Sequence, residues 1–167
     1  MKKTNVKKLT QLAITTAIAM VLSFVESQIP PLTSIPGIKI GLANIAVIFA
    51  LYCLGTKEAL TVSFVRIFAI SILFGQFMSF SYSLVGGLLS FAVMFLLKRF
   101  TPLSKIGVSV AGGVCHNIGQ IITACVLLQT DVVMYYLPFL LISGTVSGIA
   151  IGVASALLIK KLEKNIV

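Results

Sequence analysis

Arg66 stands in Thr61-Val62-Ser63-Phe64-Val65-Arg66-Ile67, within a long apolar run. Counted from Glu58, it lies about 12 Å along a helix. A guanidinium at that depth in hydrocarbon is costly, and such charges usually face a cavity, a ligand or a carboxylate. A purely structural role would pair it with one of the few acids, such as Glu26, or with carbonyls at helix ends. Contact with a ligand or cavity is the favoured reading. A second cluster is Gly113-Val114-Cys115-His116-Asn117-Ile118-Gly119-Gln120. His116 and Gln120 are four apart, and Asn117 and Gln120 three apart, so each pair shares a helix surface. His116 lies about 16 Å from Lys105, near a bilayer midplane. Three strong hydrogen-bonding groups in one turn are expensive to leave unsatisfied in lipid. Interhelical hydrogen bonds would satisfy them. A polar pocket is favoured, because three groups exceed what one clamp needs.

The chemistry these residues lack is equally informative. No G-x-x-x-x-G-K-[ST] loop is present, so the chain carries no ATP-binding loop of that kind. Asp131 is the only aspartate, so no aspartate-rich magnesium cluster can be assembled. Neither G-x-S-x-G nor H-E-x-x-H occurs. One histidine and four acids make independent catalysis improbable. We expect no enzyme activity, cofactor or metal. Cys53, Cys115 and Cys125 lie inside apolar runs without metal-ligand spacing and read as small hydrophobes.

The elements that must position these groups follow from composition. Of 167 residues, 58% are hydrophobic and 10% charged, with mean hydropathy +1.10. A soluble domain carries about 25% charge. A soluble enzyme, a disordered chain and a disulfide scaffold are therefore poor fits. Continuous rather than alternating apolar runs argue against a barrel. The expected class is an all-α polytopic membrane protein, one membrane domain over residues 1–167. Its six spans are expected at about 9–25, 40–54, 59–74, 80–97, 106–128 and 133–159.

The net charge of +9 could suggest nucleic acid, but the bases cluster where apolar runs end. Lys2, Lys3, Lys7 and Lys8 precede the first run, and Lys57 lies between the second and third. Lys98, Arg99 and Lys105 separate the fourth and fifth, and Lys160, Lys161 and Lys164 follow the sixth. Eleven of thirteen bases thus fall on one side, which places both termini in the cytoplasm. The charge is a topology signal for the cell membrane, and no nucleic acid partner is expected. On this topology Lys39, Asn44, Tyr82, Glu26, Gln76 and Ser83 fall with the span-5 cluster in the outer half. That asymmetry suggests a site opening outward. Arg66, Lys39 and a protonated His116 would favour an anionic or strongly polar ligand. Tyr82 and the phenylalanines would hold an apolar or aromatic portion. The segment Gln28–Gly37, with Pro30, Pro31 and Pro36, cannot be continuous helix and is expected either to pack over the outer end of the bundle or to form an irregular linker.

Small residues mark helix contacts in lipid. Gly144, Gly148 and Gly152 form one stripe, with Gly86, Gly87, Gly112, Gly113 and Gly119 as facing candidates. These read as packing within the monomer. Ala13 and Ala17 form a smaller stripe on the first span that would suit either internal packing or a partner helix.

The stretches Pro36-Gly-Ile-Lys39-Ile-Gly41-Leu-Ala-Asn44, Val65-Arg66-Ile67, Tyr82-Ser83-Leu-Val-Gly86-Gly87 and Gly113-Val-Cys-His116-Asn117-Ile-Gly119-Gln120 resemble the small six-helix Gx transporter family. That family is also labelled heptaprenyl diphosphate synthase component I. It is similar in turn to the substrate-binding S components of energy-coupling factor (ECF) transporters. The resemblance implies a membrane-embedded binder of a vitamin-like or cofactor-precursor solute. A flavin, a quinone precursor or a prenyl phosphate would be a candidate. It also implies a transmembrane coupling protein and two ATPases as partners, with Ala13 and Ala17 against the coupling protein. Arg66, His116, Asn117, Gln120, Asn44, Lys39 and Tyr82 would contact solute. The synthase label implies an alternative, a non-catalytic membrane subunit in heptaprenyl diphosphate or quinone synthesis.

Overall fold

The computed structural model describes residues 6–29, 41–74 and 77–166, and these are helical almost throughout. Lys39, Gln76 and the proline-rich segment 30–40 lie outside the described residues. Helix α1 spans Val6–Gln28, α2 Asn44–Phe49, α3 Thr56–Phe74, α4 Phe77–Phe100, α5 Lys105–Leu128 and α6 Leu137–Ile166. Among the described residues there is no strand.

The helix ends follow local chemistry. Beyond Phe49, α2 widens into a π-helical turn, Ala50–Leu54. It closes where Gly55 N–H donates to Ala50 O at 2.9 Å. Gly55 has φ 130°, which stops the helix before Thr56 starts α3. Ser104 caps α5 by accepting from Gly107 N–H at 3.2 Å, the usual service of a serine at that position. Gln129 ends α5 in the left-handed conformation, φ 49°. A 3₁₀ turn, Val132–Tyr136, then leads into α6. Pro138 is tolerated there because first-turn N–H groups have no partner within the helix.

Among the described residues, α1, α4, α5 and Val132–Leu162 are long and apolar enough to cross a bilayer. The chain is thus a multi-pass membrane protein. The expected six spans are not met on this criterion. The second stretch supplies only an 11-residue helix, Asn44–Leu54, about 16 Å long against a hydrocarbon core of about 30 Å. The third, 19 residues long, carries Lys57, Glu58 and Arg66. Large apolar side chains point outward from every long helix, including Ile18, Ile72, Val126 and Ile142, a surface suited to lipid.

Helix α5 lies along both α4 and α6, α1 packs on α3, and α2 is wedged against α1, α3 and α6. Glycine sets the α4–α5–α6 spacing. A Cβ on Gly113 would lie 2.6 Å from Gly144 O, one on Gly148 2.7 Å from Val110 Cα, and one on Gly119 2.8 Å from Gly86 Cα. The glycine stripes are contacts within this chain. The main core joins Ala19, Val47, Leu51, Val62, Met94 and Ile151 from different helices. At one end Lys98 donates to Leu51 O in the π-helical turn, with its Nζ 4.8 Å from the Tyr52 ring centre. Lys8 pairs with Glu58 and ties α1 to the start of α3. That neighbour holds the Glu58 carboxyl below the usual carboxylate range.

Candidate functional site

Arg66 is buried at 7% exposure, near the middle of α3. One turn earlier Val62 enters the apolar core. Ile67, Ile70 and Ser71 continue the Arg66 face into a cavity. α1 contributes Ser23 and Glu26, three residues apart and so on one face. α4 contributes Ser83, and α5 contributes His116. Gly41, just before α2, completes the wall. The cavity measures about 420 Å³, including the open space at its mouth.

The polar contacts tie α1, α2 and α3 to one guanidinium. Arg66 donates to Asn44 Oδ1 at 3.2 Å and to Ser23 Oγ at 3.4 Å. Its Nε–H has no acceptor among the described residues. Glu26, buried at 5% exposure, accepts the Gly41 N–H, and its charge acts on Arg66. Gly41 holds φ +89°, a conformation that glycine adopts without strain. That turn presents its N–H to Glu26 and its carbonyl to Asn44 N–H at 2.8 Å. A guanidinium with five donors is thus only partly satisfied, beside a carboxylate that offsets its charge.

The other expected site residues divide. Arg66, Asn44 and His116 come together here. Gln120 is 1% exposed and lies beside His116 on the α4 side, where a Cβ on Gly86 would meet both side chains at 3.2 Å. Asn117 does not line the cavity. It donates to Leu140 O at 2.6 Å, joining α5 to α6 across the close approach at Gly144. Tyr82 sits in an apolar cluster with Ile121, Ala124, Val133 and Leu140. Ala13 and Ala17 are exposed on α1, away from the cavity. Ser23 and Ser71 carried no sequence signal of their own. Glu26 was expected as a structural partner for Arg66, and the structure puts it on the same cavity wall. Among the described residues no three His, Cys, Asp or Glu side chains come together as a metal site.

The family described as heptaprenyl diphosphate synthase component I matches this chain over residues 15–158. The chain belongs to that family. No curated protein and no solved structure matches it. The stretch shared with the synthase component I family contains every residue of the cavity wall, from Ser23 to His116. It contains Ala17 but not Ala13, and Glu58 but not Lys8. The family name denotes one component of a synthase, so the family implies a partner protein.

Proposed function

We propose that the chain is the membrane-embedded, solute-binding subunit of an ECF-type importer. Its ligand is a strongly polar, vitamin-like or cofactor-precursor solute. The observation that carries this reading is Arg66, buried deep in an apolar helix yet incompletely satisfied, in a cavity shared with Glu26, His116 and three serines. A structural arginine would be expected to use its donors within the bundle. Arg66, Asn44, His116 and Ser23 would hold the solute, with Gln120 supporting His116 and Lys39 as a further contact. The chain crosses the cell membrane six times with both ends in the cytoplasm, α2 and α3 serving as the two less apolar crossings. The exposed Ala13 and Ala17 receive a transmembrane coupling protein, and two ATPases supply the energy.

A second reading is favoured by the family name. The chain would then be a non-catalytic membrane component that partners a prenyl diphosphate synthase. One experiment separates the two. Protein purified in mild detergent is analysed by mass spectrometry for retained small molecules and copurifying proteins. The importer reading expects a small molecule that His116→Ala loses, and copurification with the coupling protein that Ala13→Trp with Ala17→Trp abolishes. A reproducibly empty bundle in stable association with a soluble prenyltransferase contradicts it.

A further inference from the structure

Ser83, in the cavity wall, lies in the first half of α4, and a second gathering of charge lies in the last turn of that helix. Lys98 Nζ stands 4.8 Å from the centre of the Tyr52 ring, and Lys105 Nζ stands 5.7 Å from the same centre. The three residues come from the π-helical turn after α2, the end of α4 and the first residue of α5. An aromatic face attracts a cation. It supplies no net negative charge, and two ammonium groups drawn to one ring repel each other.

Lys98 also donates to Leu51 O. An ammonium has three donors, and among the described residues no carboxylate pairs with Lys98. Glu58, at the same end of the bundle, is engaged by Lys8. The stretch Lys98-Arg99-Phe100-Thr101-Pro102-Leu103-Ser104-Lys105 holds three bases and no acid. Arg99 is exposed, with its guanidinium 5.7 Å from the centre of the Phe100 ring.

What stands beside these bases decides which anion they suit. Phe100 and Leu103, in the same stretch, are large apolar side chains exposed at the surface. A soluble anion gives them nothing to bury against. Bases set among outward apolar side chains, where a long apolar helix ends, match a membrane interface. There the stems of lysine and arginine run along hydrocarbon and their heads reach lipid phosphates. A tyrosine ring is at home at that level too.

We infer that Lys98, Lys105 and the Tyr52 ring form a site for the phosphodiester of an anionic phospholipid. Arg99 adds charge at its edge, and Phe100 and Leu103 lie against the acyl chains. The phosphate accepts charge-assisted hydrogen bonds from both ammonium groups and relieves the repulsion between them. A bound lipid thereby ties the turn after α2 to α4 and α5.

The test titrates the full chain, stripped of lipid in mild detergent, with phosphatidylglycerol or phosphatidylcholine. Bound lipid is counted by native mass spectrometry. Both lipids carry a phosphate, but only the first has a net negative charge. The wild type should bind phosphatidylglycerol at least about tenfold tighter than phosphatidylcholine. Lys98→Gln with Lys105→Gln should weaken phosphatidylglycerol binding about five- to twenty-five-fold. Lys105→Gln alone leaves the Lys98 bond to Leu51 O in place and should weaken it about fivefold. Lys160→Gln with Lys161→Gln removes the same charge from the end of α6 and should change it by less than about twofold. Equal binding of the two lipids by the wild type, or an equal loss in the α6 variant, overturns the site. Excess inorganic phosphate should not displace phosphatidylglycerol from the wild type; displacement makes this a soluble-anion site and overturns the lipid assignment.

Discussion

On the α6 side of α5, backbone meets backbone: a Cβ on Gly113 would lie 2.6 Å from Gly144 O. On another face of α5, His116 instead borders a cavity that also holds Arg66 and Glu26. The two regions are neighbours on one helix and follow opposite rules. In the first, side chains are removed so that helices touch, and the buried amide of Asn117 is satisfied by Leu140 O. In the second, side chains converge, space is left, and a charged donor remains incompletely used. Close packing with satisfied polar groups is what stability requires. Ser109 Oγ in the α5–α6 seam is also buried without a partner among the described residues, so what distinguishes the second region is a charged donor bordering open space.

The largest expected effect comes from removing the buried guanidinium. Arg66→Ala removes the donors to Asn44 and Ser23 and the positive charge that acts on Glu26, and should lower stability by about 3–5 kcal/mol. Adding Glu26→Ala should recover much of that loss. Denaturant unfolding in detergent for the two single variants and the double variant gives the coupling. Additive losses would show that the two residues do not act as a pair.

Next is overpacking of the glycine face. Gly113→Val forces α5 and α6 apart and should cost about 1–3 kcal/mol, read as a lower unfolding temperature. Solute retained per folded molecule should not change. A loss of solute without a loss of stability would dissolve the distinction between the two regions.

A sharper comparison uses adjacent residues. Asn117→Ala removes the amide that donates to Leu140 O across the α5–α6 contact and should cost about 1–2 kcal/mol with solute retained. His116→Ala should show the reverse, solute lost with a smaller change in stability. If both lose solute equally, the two residues belong to one site.

The smallest effect lies away from both regions. Glu58 titrates below its ordinary range of about 4.5 because of Lys8. Its contribution is therefore full above the unfolded value and is lost as pH falls through the lower folded value. Part of the pair is exposed to solvent, so the effect should stay under about 1 kcal/mol. Unfolding temperatures of wild type and Glu58→Gln should differ near pH 7 and converge near pH 3. A constant difference would mean that the pair carries no linkage.

Much of the helical order was legible because charges are scarce and fall at the ends of apolar runs. Arg66 and His116 were legible for the same reason, as polar groups where hydrocarbon is expected. The crossing count was not, because one length rule cannot separate a short helix with a π-helical turn, Asn44–Leu54, from a full span. Asn117 was misplaced by its neighbour. Adjacent helical residues point about 100° apart, so Asn117 turns toward α6 while His116 borders the cavity. Ser23, Ser71 and Ser83 gave little signal, since a serine can satisfy its hydroxyl on its own helix. Only tertiary packing brings them to Arg66. The role of Glu26 also depends on that packing, which brings its carboxylate to the cavity wall that Arg66 shares.

The central claim, that the cavity around Arg66 holds a solute, is tested most directly by mass spectrometry of small molecules released from wild-type and Arg66→Lys protein. Lysine keeps the charge opposite Glu26 but lacks the guanidinium fork. The account predicts one species bound near stoichiometrically to the wild type and reduced at least about tenfold in Arg66→Lys, a change near 1.4 kcal/mol. An empty wild-type protein, or a species retained equally by both, would contradict it.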